Sequence, residues 1–332
     1  MWDSSDGIPD FQADFGFAHE FTPFSFNGSF SPVPPAPGST SRETHALRLA
    51  VNGTDASGIE AAVNLVPRGA PMPSSNCIVS FDLWMNYPGG AGGVNSTGST
   101  QHALFGFGNP GTNANWPLAK NSTVGVWFCV TGEGGDSRDY RAYRGHSSGS
   151  IDVTGAQSGM MASNNAASLY QQLFPTSRFE TPGSPGKEWV RVELHRTNGL
   201  IHWVMNGQRI AIVSNSDPGY ETFMLGLCDL FKSVANPVQD AFVLFDNILV
   251  EDTSDAERVL STGVKPGGGL QFTFSAIPGV DYEVDRSTNL TVWEVEQTLR
   301  TNRPPLRMTA PLQEGPLFYR VRRVLGEGHP VQ

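Results

Sequence analysis

Hydrophobic and polar positions alternate most clearly between Lys187 and Val213, KEWVRVELHRTNGLIHWVMNGQRIAIV. Alternation of this kind places successive side chains on opposite faces of a strand. Two Asn-Gly dipeptides, Asn198-Gly199 and Asn206-Gly207, punctuate it. Asn-Gly suits a two-residue type I′ turn, which needs positive φ at both central positions. The stretch therefore predicts a three-stranded antiparallel meander. Two-residue loops set Thr197 opposite Leu200, His195 opposite His202, Glu193 opposite Val204 and Arg191 opposite Asn206. Parity then gathers Val190, Val192, Leu194, Ile201, Trp203, Met205, Ile210 and Ile212 on one dry face. Trp189, Arg191, Glu193, His195, His202 and Arg209 fall on the other, polar face. A sheet with one dry and one wet face is half of a sandwich.

Further strand-like runs lie at 45–52, 58–66, 77–87, 102–108, 124–132, 221–230 and 240–252, with turn-rich spacers at 88–100 and 109–123. Residues 156–174 are the one plausible helical insert. Strands at this spacing with frequent turn signals predict an all-β jelly-roll sandwich over residues 1–254. A Gly- and Ser-bearing linker follows at 255–268. Four more strand-like runs, at 270–276, 280–287, 292–299 and 316–325, predict a small β-sandwich module over 269–326, leaving a tail at 327–332. In that module Phe318, Val321 and Trp293 are expected in the core, and Arg320, Arg322 and Arg323 on a solvated face with an ion pair.

Composition narrows the function classes. Only 16% of residues are charged, and 37 Gly with 24 Pro favour a loop-rich β protein over a helical one. The net charge of −10 argues against nucleic-acid binding, which relies on Lys and Arg neutralising phosphates. The acidity is uneven: from Ala256 onward nine Lys+Arg stand against eight Asp+Glu, leaving thirteen against twenty-four before it. No apolar run approaches the length of a membrane span, so no membrane insertion is expected. The start, MWDSSDGIPDF, has neither the basic nor the apolar region of a signal peptide. Low charge and long polar loops still suit an extracellular or cell-surface protein, with a leader removed or upstream. Cys77, Cys129 and Cys228 each sit in an apolar run and are expected as buried thiols.

WVRVELHRTNGLIHWVMNGQRIAIV, followed by the late strand AFVLFDNILVED, resembles the concanavalin A-like (LamG-like) jelly-roll superfamily. STQHALFGFGNPGTNANW and VWFCVTGEGGDSRDYRAYRG are similar to uncharacterised exported proteins of the Planctomycetes–Verrucomicrobia type. PGVDYEVDRSTNLTVWEVEQ and PLFYRVRRV resemble the C-terminal β-sandwich tail of those proteins. The resemblance implies a fold that serves lectins, hydrolases, lyases and adhesion modules alike. It also implies that Asp246, in the late strand, helps hold a structural calcium with groups from the N-terminal segment, Asp14 or Glu20 being candidates.

The candidate chemistry is sparse. Glycosidases need two carboxylates at fixed separation, and no such alternating pair is present. Glu193, His195 and His202, with Arg191 to neutralise a substrate carboxylate, could serve a lyase as base and acid. The plainer account is a solvated sheet face with cross-strand polar pairs. In GEGGDSRDYRAYR, where Glu133, Asp136 and Asp139 crowd together, the acidic groups after the Gly134-Gly135 turn could ligate calcium. Tyr140 and Tyr143 could stack on sugar rings beside Arg141. The plainer account is a turn braced by Asp–Arg pairs with the tyrosines covering the sheet. Trp116, in a Gly/Asn/Pro loop, is a stronger stacking candidate or a plug at the sandwich end. These features favour a non-catalytic surface protein that binds polysaccharide or cell-surface glycan. A carbohydrate-active enzyme, lyase or glycosidase, is the alternative. A third possibility is a self-assembling subunit of a sheath, filament or surface layer.

Overall fold

The computed structural model describes the chain except residues 38, 40–43, 55–58, 69–71, 73–75, 89–98, 120–122, 147–163, 198, 215–221, 254–258, 265–268, 275, 277–280, 301–305, 311–316 and 325–332. Asn198, most of the 88–100 spacer, the first half of the 156–174 insert and the tail at 327–332 lie outside the described residues. The chain forms two units, Met1–Glu251 and Asp252–Gln332.

In the first unit, one antiparallel sheet of six strands runs β1 (Trp2–Ser4), β6 (Ala61–Leu65), β14 (Phe223–Asp229), β8 (Gln101–Phe107), β9 (Thr123–Thr131) and β10 (Tyr140–His146). A seven-stranded sheet runs β13 (Gln208–Ser214), β12 (Leu200–Met205), β11 (Val190–Thr197), β7 (Cys77–Asn86), β15 (Phe242–Asp252), β5 (His45–Val51) and β2 (Phe11–Ala18). The hairpin β3 (Pro23–Phe26) and β4 (Ser29–Pro32) stands apart from both. The two sheets bury alternate residues of their strands in a shared core, including Phe81, Leu83, Phe105, Phe128, Val192, Trp203 and Phe245. This is an all-β, two-layer antiparallel sandwich, as the alternation predicts. Cys77, Cys129 and Cys228 are all buried thiols.

The meander forms β11, β12 and β13, with Thr197 opposite Leu200, His195 opposite His202 and Glu193 opposite Val204. Asn206 and Gly207 take φ of 46° and 79°, as a type I′ turn requires. One expectation fails beyond that turn. A register shift between Trp203 and Val204 makes Ile210 an extra residue, so Ala211 pairs with Trp203 and Ile212 with His202. A bulge reverses parity downstream of itself. Ile210 and Val213 therefore enter the core and Ile212 turns to the outer face.

Several strands carried too weak an alternation to be foreseen: β1 to β4 near the N-terminus, and β10, whose sequence reads as a charged turn. Among the described residues of the helical insert, Ser168–Leu173 form α1, which brings Tyr170 into the core.

The second unit has two three-stranded sheets, β16 (Val259–Val264), β17 (Leu270–Phe274) and β20 (Leu306–Ala310), and β19 (Glu294–Arg300), β18 (Asp281–Ser287) and β21 (Phe318–Arg323). They enclose Phe274, Tyr282, Val284, Leu306, Met308 and Ala310. β16 lies where a linker was expected. Phe318, expected in the core, is exposed. Trp293 is half-buried beneath the Arg320 guanidinium, 4.3 Å from its ring. Asp285 accepts from Arg320 and Arg322 at 2.8 and 2.9 Å, and its carboxyl sits below the usual carboxylate range because both guanidiniums favour the charged form, outweighing its own desolvation.

A depressed carboxylate contributes stability above its unfolded pKa and loses it as pH falls through the folded value. Asp285→Asn should therefore destabilise the protein by about 1 kcal/mol at neutral pH, the partly exposed arginines limiting the effect. The difference between variant and wild type should shrink as pH falls below ~4, measured by urea unfolding across pH.

Candidate functional site

The outer face of the six-stranded sheet is closed by the protein's own loops. Trp116 packs there with Ala62, Leu104, Trp127 and Cys129, and its indole N–H donates to Asp3 at 2.9 Å. Asn115 donates its backbone N–H to Asn64 at 2.5 Å, tying the same loop to β6. Tyr143 stacks on Trp127 at 4.1 Å. Arg141 bonds the Arg138 carbonyl at 2.9 Å and is ion-paired to Asp136. Asp136 also lies 3.3 Å from His102. Burial lowers the pKa of His102, keeping its ring neutral. Cys228 faces His102 across β14 and β8, but desolvation raises its thiol pKa well above the ordinary value, which suppresses the thiolate.

Tyr140 points the other way, into the inter-sheet core. It stacks on Tyr170 at 3.6 Å, and its hydroxyl donates to the Gly183 carbonyl at 2.6 Å. Trp116, Tyr140, Arg141 and Tyr143 are thus interior residues that present no face to a sugar ring. The local sequence misleads because a Gly/Asn/Pro loop and a charged turn look solvated. What buries them is contact with β6, β9 and α1, which the local pattern of the chain does not reveal.

The outer face of the seven-stranded sheet divides into two halves. Over β15, β5 and the adjoining ends of β7 and β11 lies the N-terminal segment. Phe24, Val33 and Ala36 pack with Trp84, Trp189, Phe242 and Leu244. The Trp189 indole N–H donates to the Pro34 carbonyl at 2.7 Å. Trp189, expected on the wet face, is therefore buried.

The other half carries the polar cluster. Arg191 donates to Asp82 at 3.2 Å and to Ser80 at 2.6 Å. Asn247 donates to Asp82 at 2.8 Å. His195 Nε2 lies 2.9 Å from Glu193 Oε2. His195 is buried, whereas Arg191, Glu193, His202 and Arg209 remain half-exposed. Burial, then the nearby His195 and Arg209, lower the pKa of His202, so its ring is a neutral hydrogen-bonding group at pH 7. The side chain of Asp82 is 5% exposed and that of Glu193 32%, so the two do not form a pair of solvent-facing carboxylates. Ser80 and Asp82 escaped the sequence reading, although polar residues at alternate positions of CIVSFDLWMNY were the available signal.

Asp246 accepts the Asn247 backbone N–H at 2.7 Å and the Ser39 hydroxyl at 3.4 Å. Asp14, a proposed calcium partner, is bound to Arg48 at 3.1 Å. Among the described residues no group of three or more His, Cys, Asp or Glu converges to hold a metal. Asp246 and Asp14 therefore each hold groups of the chain itself.

A second polar cluster closes one end of the sandwich. Asp229, at the end of β14, accepts from Ser99, from Asn52 at 3.1 Å and from the Phe231 backbone at 2.8 Å. Glu133, just after β9, lines a small recess with Asn86, Ser99 and Gln101. Burial, reinforced by Asp229 and Asp139, pushes the Glu133 carboxyl up to about 8. Burial likewise raises Asp229 to about 6. Of its members only Glu133 lies in a segment the sequence marks, because the others come together from the ends of β5, β7, β8 and β14.

No protein-family model matches the chain, and no curated protein matches it. Among solved structures it is similar to a Bacillus subtilis protein of unknown function with a galectin-like fold (TM-score 0.34, 10% identity, 74% of this chain and 91% of that one). It is also similar to a Bacillus subtilis carbohydrate-binding module (TM-score 0.33, 12% identity, 60% and 92%) and to an alginate lyase (TM-score 0.32, 12% identity, 62% and 74%). No residue role passes from these proteins to this chain. No helix among the described residues is long and apolar enough to cross a membrane.

Trp116→Ala should cost about 3–5 kcal/mol of unfolding free energy, the range for deleting a large buried aromatic. Chemical denaturation would measure it; an unchanged midpoint would show that Trp116 is not interior packing.

Proposed function

We propose that the protein is an exported, non-catalytic glycan-binding protein whose ligand lies across β11, β12 and β13. The observation that carries this reading is the row of Arg191, Glu193, His202 and Arg209, half-exposed on three adjacent strands. Strands about 4.8 Å apart space such groups to meet successive sugar hydroxyls. Their geometry is preset: Arg191 is held by Asp82 and Ser80, and Glu193 by His195. Preset donors and acceptors lose little entropy on binding. Two guanidiniums on a protein of net charge −10 also make this strip a local attraction for acidic sugars. Low overall charge and long polar loops support export, as in the Planctomycetes–Verrucomicrobia-type proteins that the sequence resembles.

One contact favours a second reading. Glu193 and His195 are within 2.9 Å, a pair able to shuttle a proton in a polysaccharide lyase, with His202 across the strand. Self-assembly into a surface layer remains the third.

The readings separate on a panel of neutral and uronate-containing polysaccharides. Binding should fall about tenfold or more in His202→Ala and in Glu193→Gln, a loss of roughly 1.4 kcal/mol each, with thermal stability retained and no product formed. Turnover that disappears in Glu193→Gln would replace binding with lyase activity. Ordered polymers seen by electron microscopy, with no glycan retained, would favour the structural role.

A further inference from the structure

No disulfide staples the first unit, since Cys77, Cys129 and Cys228 are all free thiols. The most deeply buried ion pair among the described residues joins Lys187 Nζ to Glu180 Oε2 at 2.8 Å, with side chains 0% and 2% exposed. The backbone is bent to make it. Lys187 takes φ of 59°, a left-handed conformation that a lysine holds only when its surroundings compel it. Its N–H donates to the Met85 carbonyl at 2.9 Å, and that of Gly186 to the Gly132 carbonyl at 3.0 Å. The strained residue is thus pinned at the ends of β7 and β9 while its amine turns inward.

The surroundings of the pair suit a reaction. Lys187 Nζ sits over the Tyr87 ring, 4.1 Å from its centroid. Burial lowers the pKa of Lys187 against the pull of Glu180, which brings the uncharged, nucleophilic amine within easier reach. The other carboxyl oxygen, Glu180 Oε1, accepts the Asn27 backbone N–H at 2.6 Å. A fixed main-chain donor stabilises the charge that develops on such an oxygen under nucleophilic attack.

We propose that Lys187 and Glu180 join spontaneously in an intramolecular amide, a covalent clamp between Nζ and the Glu180 side-chain carbonyl. One proton passes along the 2.8 Å contact from the ammonium to Oε2, leaving an amine and an acid. The amine nitrogen then attacks the carboxyl carbon while Oε1 stays on the Asn27 N–H. A second proton goes from the nitrogen to the departing Oε2, and the C–O bond breaks as one water leaves. Ammonium and carboxylate become amide and water, so no oxidant or co-reactant is consumed. Reactants held in contact have effective concentrations on the order of 10⁵ M or more. The product also replaces a buried cation and anion by a neutral group, which a low-dielectric interior favours. The clamp is independent of what the polar strip binds. It closes residues 180–187 into a ring that holds the hairpin tip at Asn27 on one side and Met85 and Gly132 on the other.

Mass spectrometry of the purified full chain reads the bond directly. The intact chain should be lighter than its sequence by one water. Trypsin should release FETPGSPGKEWVR, Phe179–Arg191, as a single peptide, one water light and uncut after Lys187. Fragmentation should place the loss between Glu180 and Lys187. That peptide has no Asp or Asn, so ring closure at such a residue cannot mimic the loss. Lys187→Arg should restore the full mass. Glu180→Leu combined with Lys187→Met, which leaves neither charge buried alone, should do the same in a chain that circular dichroism shows to be folded. A folded wild type of full sequence mass, cut by trypsin after Lys187, would overturn the proposal and leave an ordinary buried ion pair. So would a mass deficit that persists unchanged in Lys187→Arg.

Discussion

Everything else in the first unit depends on the packing of aromatic rings between its two sheets. Phe105 of the six-stranded sheet meets Phe81 at 5.5 Å and Trp203 at 5.4 Å, both from the seven-stranded sheet. Phe81 continues to Phe245, and Trp203 to Phe128. Edge-on and tilted contacts of this kind add to the apolar area that each ring buries. Because one residue in two serves this layer, each strand's remaining residues are committed to the outside. The polar strip on β11 to β13 is therefore a by-product of core parity before it is a site.

The outside is then settled by cover. One sheet is roofed by the Trp116 loop and the Asp136–Arg141 turn. Half of the other is roofed by the N-terminal segment over Trp84 and Trp189. A short row of polar side chains on β11 to β13 stays half-exposed, and at one end of the sandwich Glu133 Oε1, Asn86 Oδ1 and Asn52 Oδ1 are buried without a partner. These two places differ in kind. On the open strip the polar groups are matched to one another and face water. At the closed end acceptors outnumber donors in a space water barely enters, where an unmade hydrogen bond costs most.

Much of this could be read from the chain. The register of β11 against β12, the six core residues on those strands and the all-β class follow from alternation and from the two-residue loop at 198–199. Ile212 could not be placed, because a bulge at Ile210 leaves no mark in a run of alternating apolar residues. β10 was hidden by YRAYR, where Tyr140 and Tyr143 are separated by three positions and pack on opposite faces. Phe318 looked like core because it is large and apolar, yet it sits at the start of a strand whose inward partner is Val321.

The sequence by itself determined which residues share a face, since that depends only on a period of two along a local stretch of chain. Whether a face meets solvent, another sheet or a loop was decided by tertiary structure. The contacts that decide it join Trp189 to Pro34, Trp116 to Asp3 and Asn52 to Asp229, across 155, 113 and 177 positions. A local pattern carries no information about such partners. That is why Trp116 and the tyrosines pointed to a binding surface in the sequence and form the interior in the fold, while Asn52, Asn86 and Asp229 drew no notice until distant strand ends met.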